Sequence, residues 1–174
     1  MRFVHMAVTF VYEWKGRYIV TEWGYQNGYT NDTLGDRKWA GEEIGVGASF
    51  CAAGSSPEAL GGEVLRALSV FGTKPAKYSA WETQERNRDF AKAVGARGRA
   101  SFSRDCRRAN VVFDEDSTLG KISVYPWDNC HRELWISPME ELVRVLPAKA
   151  DALAVGEAVL SALTQATWHA DRKY

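Results

Sequence analysis

Cys130 and His131 stand side by side with Cys106 upstream, and thiolate and imidazole are the groups that hold zinc or drive nucleophilic catalysis. Structural zinc takes four ligands at spacings such as Cys-x₂₋₄-Cys, and the chain has no such spacing. A catalytic Cys–His pair is assembled across space, so adjacency in sequence does not indicate one. With Cys51 the cysteines number three, which leaves an odd thiol and fits a reducing compartment. His5 falls in a strand-like stretch and reads as structural. No P-loop, Gly-x-Ser-x-Gly elbow or His-Glu-x-x-His helix occurs. The sequence therefore predicts a chain that is not an enzyme, with no catalytic residue, no metal and no cofactor.

Arg97, Arg99, Arg104, Arg107 and Arg108 surround Phe102, a mixture that can grip phosphates while stacking a base. Read as a strand over about 99–104, the same alternation marks a solvated face, and that reading is preferred here. Asp114, Glu115 and Asp116 form an acidic turn, where Asp is favoured for backbone reasons alone. The further spaced oxygens that a cation loop needs do not follow. Net charge is zero, so no overall field draws the chain to nucleic acid or membrane. The charge is nonetheless segregated. Residues 80–110 carry eight Lys/Arg against four Asp/Glu, and residues 111–145 carry three against seven. Trp23, Trp39 and Trp127 stand in polar surroundings, where an interface aromatic is expected.

The elements that must position these groups are organised around one repeated helix. Ser56 is a natural N-cap, Pro57 suits the first helical position, and Leu60, Val64, Ala67, Leu68 and Phe71 recur at three- and four-residue steps. Ninety-five residues later Asp151 takes the cap, and Val155, Val159, Ala162 and Leu163 repeat the stripe. Both copies carry a glycine on the second turn, Gly61 and Gly156, at a cost of about 1 kcal/mol against alanine. The shared cost predicts close helix packing at both places. Before the first helix, the alternation from Met6 to Tyr12, turn chemistry at Gly16 and Tyr18 to Thr21 predict a hairpin. A long polar loop (24–41) follows, then a strand over Ile44 to Phe50. Ser79 begins a capping-box helix that stops at Gly95. Strands are expected at about 99–104, 109–113, 120–125, 132–136 and 141–146, with breaks at Pro126 and Pro138. The order predicts an α+β fold: two strand-rich halves of antiparallel sheet, each followed by an amphipathic helix, related by a pseudo-twofold.

At 174 residues the chain suits one domain, 1–174, with internal halves of about 1–75 and 76–174. No apolar run reaches the ~18 residues of a membrane span. The N-terminal stretch alternates like a strand and lacks a small-residue cleavage site, so a cytoplasmic address is expected.

Trp81, Val94-Gly-Ala-Arg-Gly-Arg99, Phe102, Cys106, Ile122-Ser-Val-Tyr-Pro126, His131 to Trp135 and Val155-Gly-Glu-Ala-Val-Leu-Ser-Ala-Leu163 stand in a recognisable order. That order resembles the CdiI immunity proteins of bacterial contact-dependent growth inhibition, over residues 57 to 165. The chain departs from the family at Ala96, where an aromatic is usual, and in a longer interval from Pro126 to His131. The resemblance implies a cytoplasmic protein that binds and neutralises the C-terminal toxin domain of a cognate CdiA effector, commonly a nuclease. The halves are also similar to the Whirly arrangement, which implies a second reading as a single-stranded nucleic-acid-binding module.

A nuclease cleft that attracts phosphate is basic, and an inhibitor without net charge matches it only by segregating its acids. On the immunity reading Asp114, Glu115, Asp116, Glu140 and Glu141 are the toxin-binding candidates, with Glu42 and Glu43 joining if the long loop folds over the same face. Trp127 or Trp39 supplies the aromatic anchor.

Overall fold

The computed structural model describes residues 6–22, 47–52, 54–73, 83–115, 120–129 and 137–167. The first hairpin is longer than the sequence predicts. β1 (Met6–Trp14) and β2 (Arg17–Glu22) pair antiparallel up to Trp14 opposite Arg17. Only Lys15 and Gly16 lie between them, at φ 48° and 71°, the two positive angles of a tight primed turn whose twist matches its strands. β3 (Gly47–Ala52) pairs with β2 and leads into α1 (Pro57–Ser69). Ser56 caps α1 by accepting from the Ala59 N–H at 3.2 Å. In the second half β4 (Arg107–Asp114), β5 (Lys121–Asp128) and β7 (Arg144–Pro147) repeat the meander, and α4 (Ala152–Gln165) follows, capped by Asp151 at 2.8 Å from the Ala154 N–H.

The strand order is β3-β2-β1-β4-β5, and the far edge of β5 is shared by β7 and by β6 (Ser137–Pro138). β1 and β4 meet at the centre and run antiparallel, as a twofold axis normal to the sheet requires of the two strands flanking it. The interval from strand to helix is also conserved between halves, Ala52 to Pro57 and Pro147 to Ala152. The α+β architecture and its internal pseudo-twofold are thus as the sequence predicts.

α1 and α4 lie side by side on one face of the sheet. A Cβ on Gly61 would fall against the Ala152 carbonyl oxygen and 2.7 Å from the Gly156 nitrogen. A Cβ on Gly156 would fall against the Pro57 carbonyl oxygen and 3.0 Å from Pro57 Cα. The two contacts are reciprocal, because Pro57 and Ala152 are themselves 95 residues apart. Leu60, Val64, Val155, Val159 and Leu163 then close over Val11, Val20, Val111 and Val124 in one core.

The opposite face is covered at one end by α2 (Thr83–Val94) and α3 (Arg99–Arg104). α2 ends before Gly95 as predicted, but the capping Ser79 lies outside the described residues. α3 corrects the sequence reading, which has a strand at 99–104. Phe102 is 1% exposed, with ring centroids 4.7 Å from Phe90, 5.1 Å from Tyr12 and 5.6 Å from Trp14. One helical turn inserts that ring among partners distant in sequence, and a solvated strand would leave it in water. β5 also runs through Pro126, which the sequence marks as a break. The Pro126 carbonyl accepts from the Met139 N–H at 2.9 Å, on the edge where the neighbour of β5 changes from β7 to β6, so the missing N–H interrupts no ladder. The strand expected over 141–146 divides into a 3-10 turn (Glu140–Leu142) and β7. The strand expected over 132–136 lies outside the described residues, as does the loop 24–41.

One polar clamp distinguishes the halves. Arg66 on α1 makes an ion pair with Glu22 of β2 at 2.7 Å and another with Glu63 at 2.9 Å, and it donates to the Ser49 hydroxyl of β3. The positions 95 residues beyond Ser49, Glu63 and Arg66 are Arg144, Ala158 and Ser161; with no cation at 161 and no carboxylate at 158, the ion pairs of the clamp are not repeated. The hydrogen bond from Arg66, aided by Ser49, holds the Glu63 carboxyl below its usual range. A lowered folded-state value means stability that is present above the unfolded pKa and lost as pH falls through the folded one. Both partners are about two-fifths exposed, so screening keeps the contribution within about 1 kcal/mol. In urea denaturation, Arg66→Gln is expected to flatten the fall in unfolding free energy below about pH 4.5. An unchanged slope would remove the clamp from the account.

Candidate interaction surface

The cysteines hold no poised nucleophile among the described residues. Cys51 lies on β3, and burial first, then Glu63, pushes its thiol up, away from the reactive thiolate. Cys106 is buried, while Cys130, His131 and His5 lie outside the described residues. No group of three metal-ligating side chains occurs among the described residues. At the tip of the first hairpin, Glu13, Lys15, Gly16, Asp105 and Arg107 line an open pocket of about 270 Å³. Its charges are mixed, with Arg107 3.8 Å from Glu13, so it offers no field of one sign to a substrate.

The arginines divide. Arg97 and Arg104 are exposed, and Arg104 lies 3.2 Å from Asp105. Arg108 is 4% exposed, on the face away from α1 and α4. Its guanidinium lies 3.6 Å from the Phe10 ring centroid and 4.0 Å from that of Trp127, between the two rings. Tyr12 faces Arg108 across the ladder, so aromatics on β1 and β5 surround one buried cation.

Trp127 is therefore half-buried and engaged by its own chain, edge-on to Phe10 at 6.0 Å as well as stacked on Arg108. Asp114 ends β4, opposite Met6 of β1 and Lys121 of β5, with its carboxylate 3.9 Å from the Lys121 amine. Glu115 follows it, exposed in a bend. Glu140 and Glu141 are exposed on the 3-10 turn beside Pro126, about 16 Å along β5 from the Asp114 end. The structure thus places the acids in two groups along the β5 side of the sheet. Asp116, Glu42, Glu43 and Trp39 lie outside the described residues.

Three apolar residues that sequence reasoning passes over are exposed at the sheet edges: Phe50 on β3, and Leu142 and Val145 at β7. Register puts Phe50 and Val145 on the face away from α1 and α4, and they are 95 residues apart, at matching places on opposite edges. A β-branched residue in a strand reads as core from sequence. Only the strand order shows that, among the described residues, β7 is an edge.

No helix among the described residues is long and apolar enough to cross a membrane. No protein-family model matches the chain, and no curated protein does. Solved structures do match. A protein of unknown function, NMB0488, from Neisseria meningitidis is 15% identical, with 96% of this chain and 100% of that one covered at a TM-score of 0.63. A chain of the CdiA-CT/CdiI toxin and immunity complex from Yersinia pseudotuberculosis is 16% identical, with 94% and 99% covered at a TM-score of 0.65. At these identities the shared property is the fold.

Proposed function

We propose that this chain is an immunity protein that binds and neutralises the C-terminal toxin domain of a cognate CdiA effector. The observation that carries the reading is the likeness to a chain of a toxin and immunity complex, end to end over 94% of this chain and 99% of that one. On this reading the chain acts by occupying its target. The target is a basic, phosphate-seeking nuclease domain, and the meeting takes place in the cytoplasm, where a delivered nuclease finds nucleic acid. The segregated acids on Asp114, Glu115, Glu140 and Glu141 favour such a partner by raising the association rate and rejecting acidic surfaces.

A single-strand-binding module is less well supported. Base-stacking platforms need exposed rings. Phe102 is buried in α3, and the Phe10 and Trp127 rings are occupied by Arg108.

The test is co-expression of the chain with the C-terminal domain of the effector encoded immediately upstream. Cells expressing the toxin domain alone are expected to stop growing, and cells expressing both are expected to grow. Arrest in the presence of stable, well-expressed chain would remove the immunity reading.

A further inference from the structure

The geometry points to the β7 corner of the sheet as the toxin-docking surface, with Val145 and Leu142 as its apolar centre and Glu140 and Glu141 as its charged rim. This inference rests on the immunity reading and adds to it the face of contact.

Single exposed apolar residues are normal on a protein surface, whereas apolar surface that gathers into a contiguous patch marks an interface. Leu142 is 40% exposed and Val145 57%, only three residues apart. The internal pseudo-twofold supplies a control within the same molecule. Phe50 holds the matching place on β3, also exposed at 46%, but its own chain attends to it. The Arg17 guanidinium lies 5.4 Å from the Phe50 ring and 5.3 Å from that of Trp14, and it donates to the Val94 carbonyl. β3 is fastened to α1 by the Arg66 clamp as well. The residues at 158 and 161 deny β7 the ion pairs of that clamp.

Charge separates the two edges in the same sense. Phe50 sits beside Arg17, which repels a basic partner, while Leu142 directly follows Glu140 and Glu141, and the exposed Arg144 of β7 lies opposite Val124, on the other face of the sheet from Val145. A domain built to hold phosphate is drawn to the second edge. Asp114 and Glu115, about 16 Å away along β5, fall within one standard footprint of about 800 Å² per partner. Trp127, its ring held by Arg108 and Phe10, lies on the same face of β5 as Ser123, the strand partner of Val145.

The experiment compares Val145→Arg with Phe50→Arg in binding kinetics against the immobilised C-terminal domain of the upstream-encoded effector. Both side chains are exposed, and thermal melts check that each variant keeps the parent fold. Val145→Arg is expected to weaken binding by about 30-fold or more, the scale of a central interface residue, while Phe50→Arg stays within about 3-fold. Glu140→Lys with Glu141→Lys is expected to lower the association rate and its salt dependence. Parent-like binding by Val145→Arg, or a loss confined to Phe50→Arg, overturns the β7 surface and leaves the immunity reading standing. Failure of the unaltered chain to bind overturns both.

Discussion

Gly61→Ala and Gly156→Ala are each expected to lower the unfolding free energy by about 1–3 kcal/mol, although alanine is the better helix former. In an open helix the exchange returns about 1 kcal/mol of propensity and backbone entropy. Here the new methyl meets backbone, the Ala152 carbonyl in one case and the Pro57 carbonyl in the other, and backbone cannot rotate aside. α1 and α4 must separate, which opens the core beneath Leu60, Val64, Val155 and Val159. Gly62 is the control, since a Cβ there has no atom within 4 Å. Gly62→Ala should be neutral or stabilise by up to about 1 kcal/mol in the same denaturant titration. If Gly61→Ala behaves like Gly62→Ala, the two helices do not meet as described.

Phe102→Ala is expected to cost about 3–5 kcal/mol, the scale for removing a fully buried aromatic ring. α3 has six residues and no side-chain cap at Gly98, so little local structure sustains it. Its place depends on the Phe102 ring among Tyr12, Trp14 and Phe90, and truncation leaves a cavity that also loosens α2. Phe102→Leu, which fills most of that volume, should cost markedly less. A loss below about 1 kcal/mol for the alanine variant would mean that α3 is held by something other than this ring.

The same residue shows where sequence reading ends. α1 and α4 are legible because every signal that defines them is local: a capping side chain, a three-and-four stripe and a glycine whose cost demands a reason. The strand expected at 99–104 fails because six residues are too few to reveal a helical period. The partners that bury Phe102 come from positions 12, 14 and 90. Pro126 reads as a break because the sequence does not show that β5 changes neighbours beside it. The candidate site divides in the same way. Segregated acids are a local property and are visible in the chain. That Asp114 and Glu140 flank opposite ends of β5 is a property of register. Trp127 draws notice for its polar neighbours in sequence, yet its actual neighbours are Phe10 and Arg108, on β1 and β4. Val145 draws none, since only the edge position of β7 exposes it.

The immunity reading is tested most directly by titrating this chain into the purified C-terminal domain of the upstream-encoded effector while that domain cleaves nucleic acid. Cleavage is expected to fall linearly and reach background at an equimolar ratio, with a stable complex of one copy of each on size exclusion. Undiminished cleavage with the chain in large excess, and separate elution of the two proteins, would contradict it.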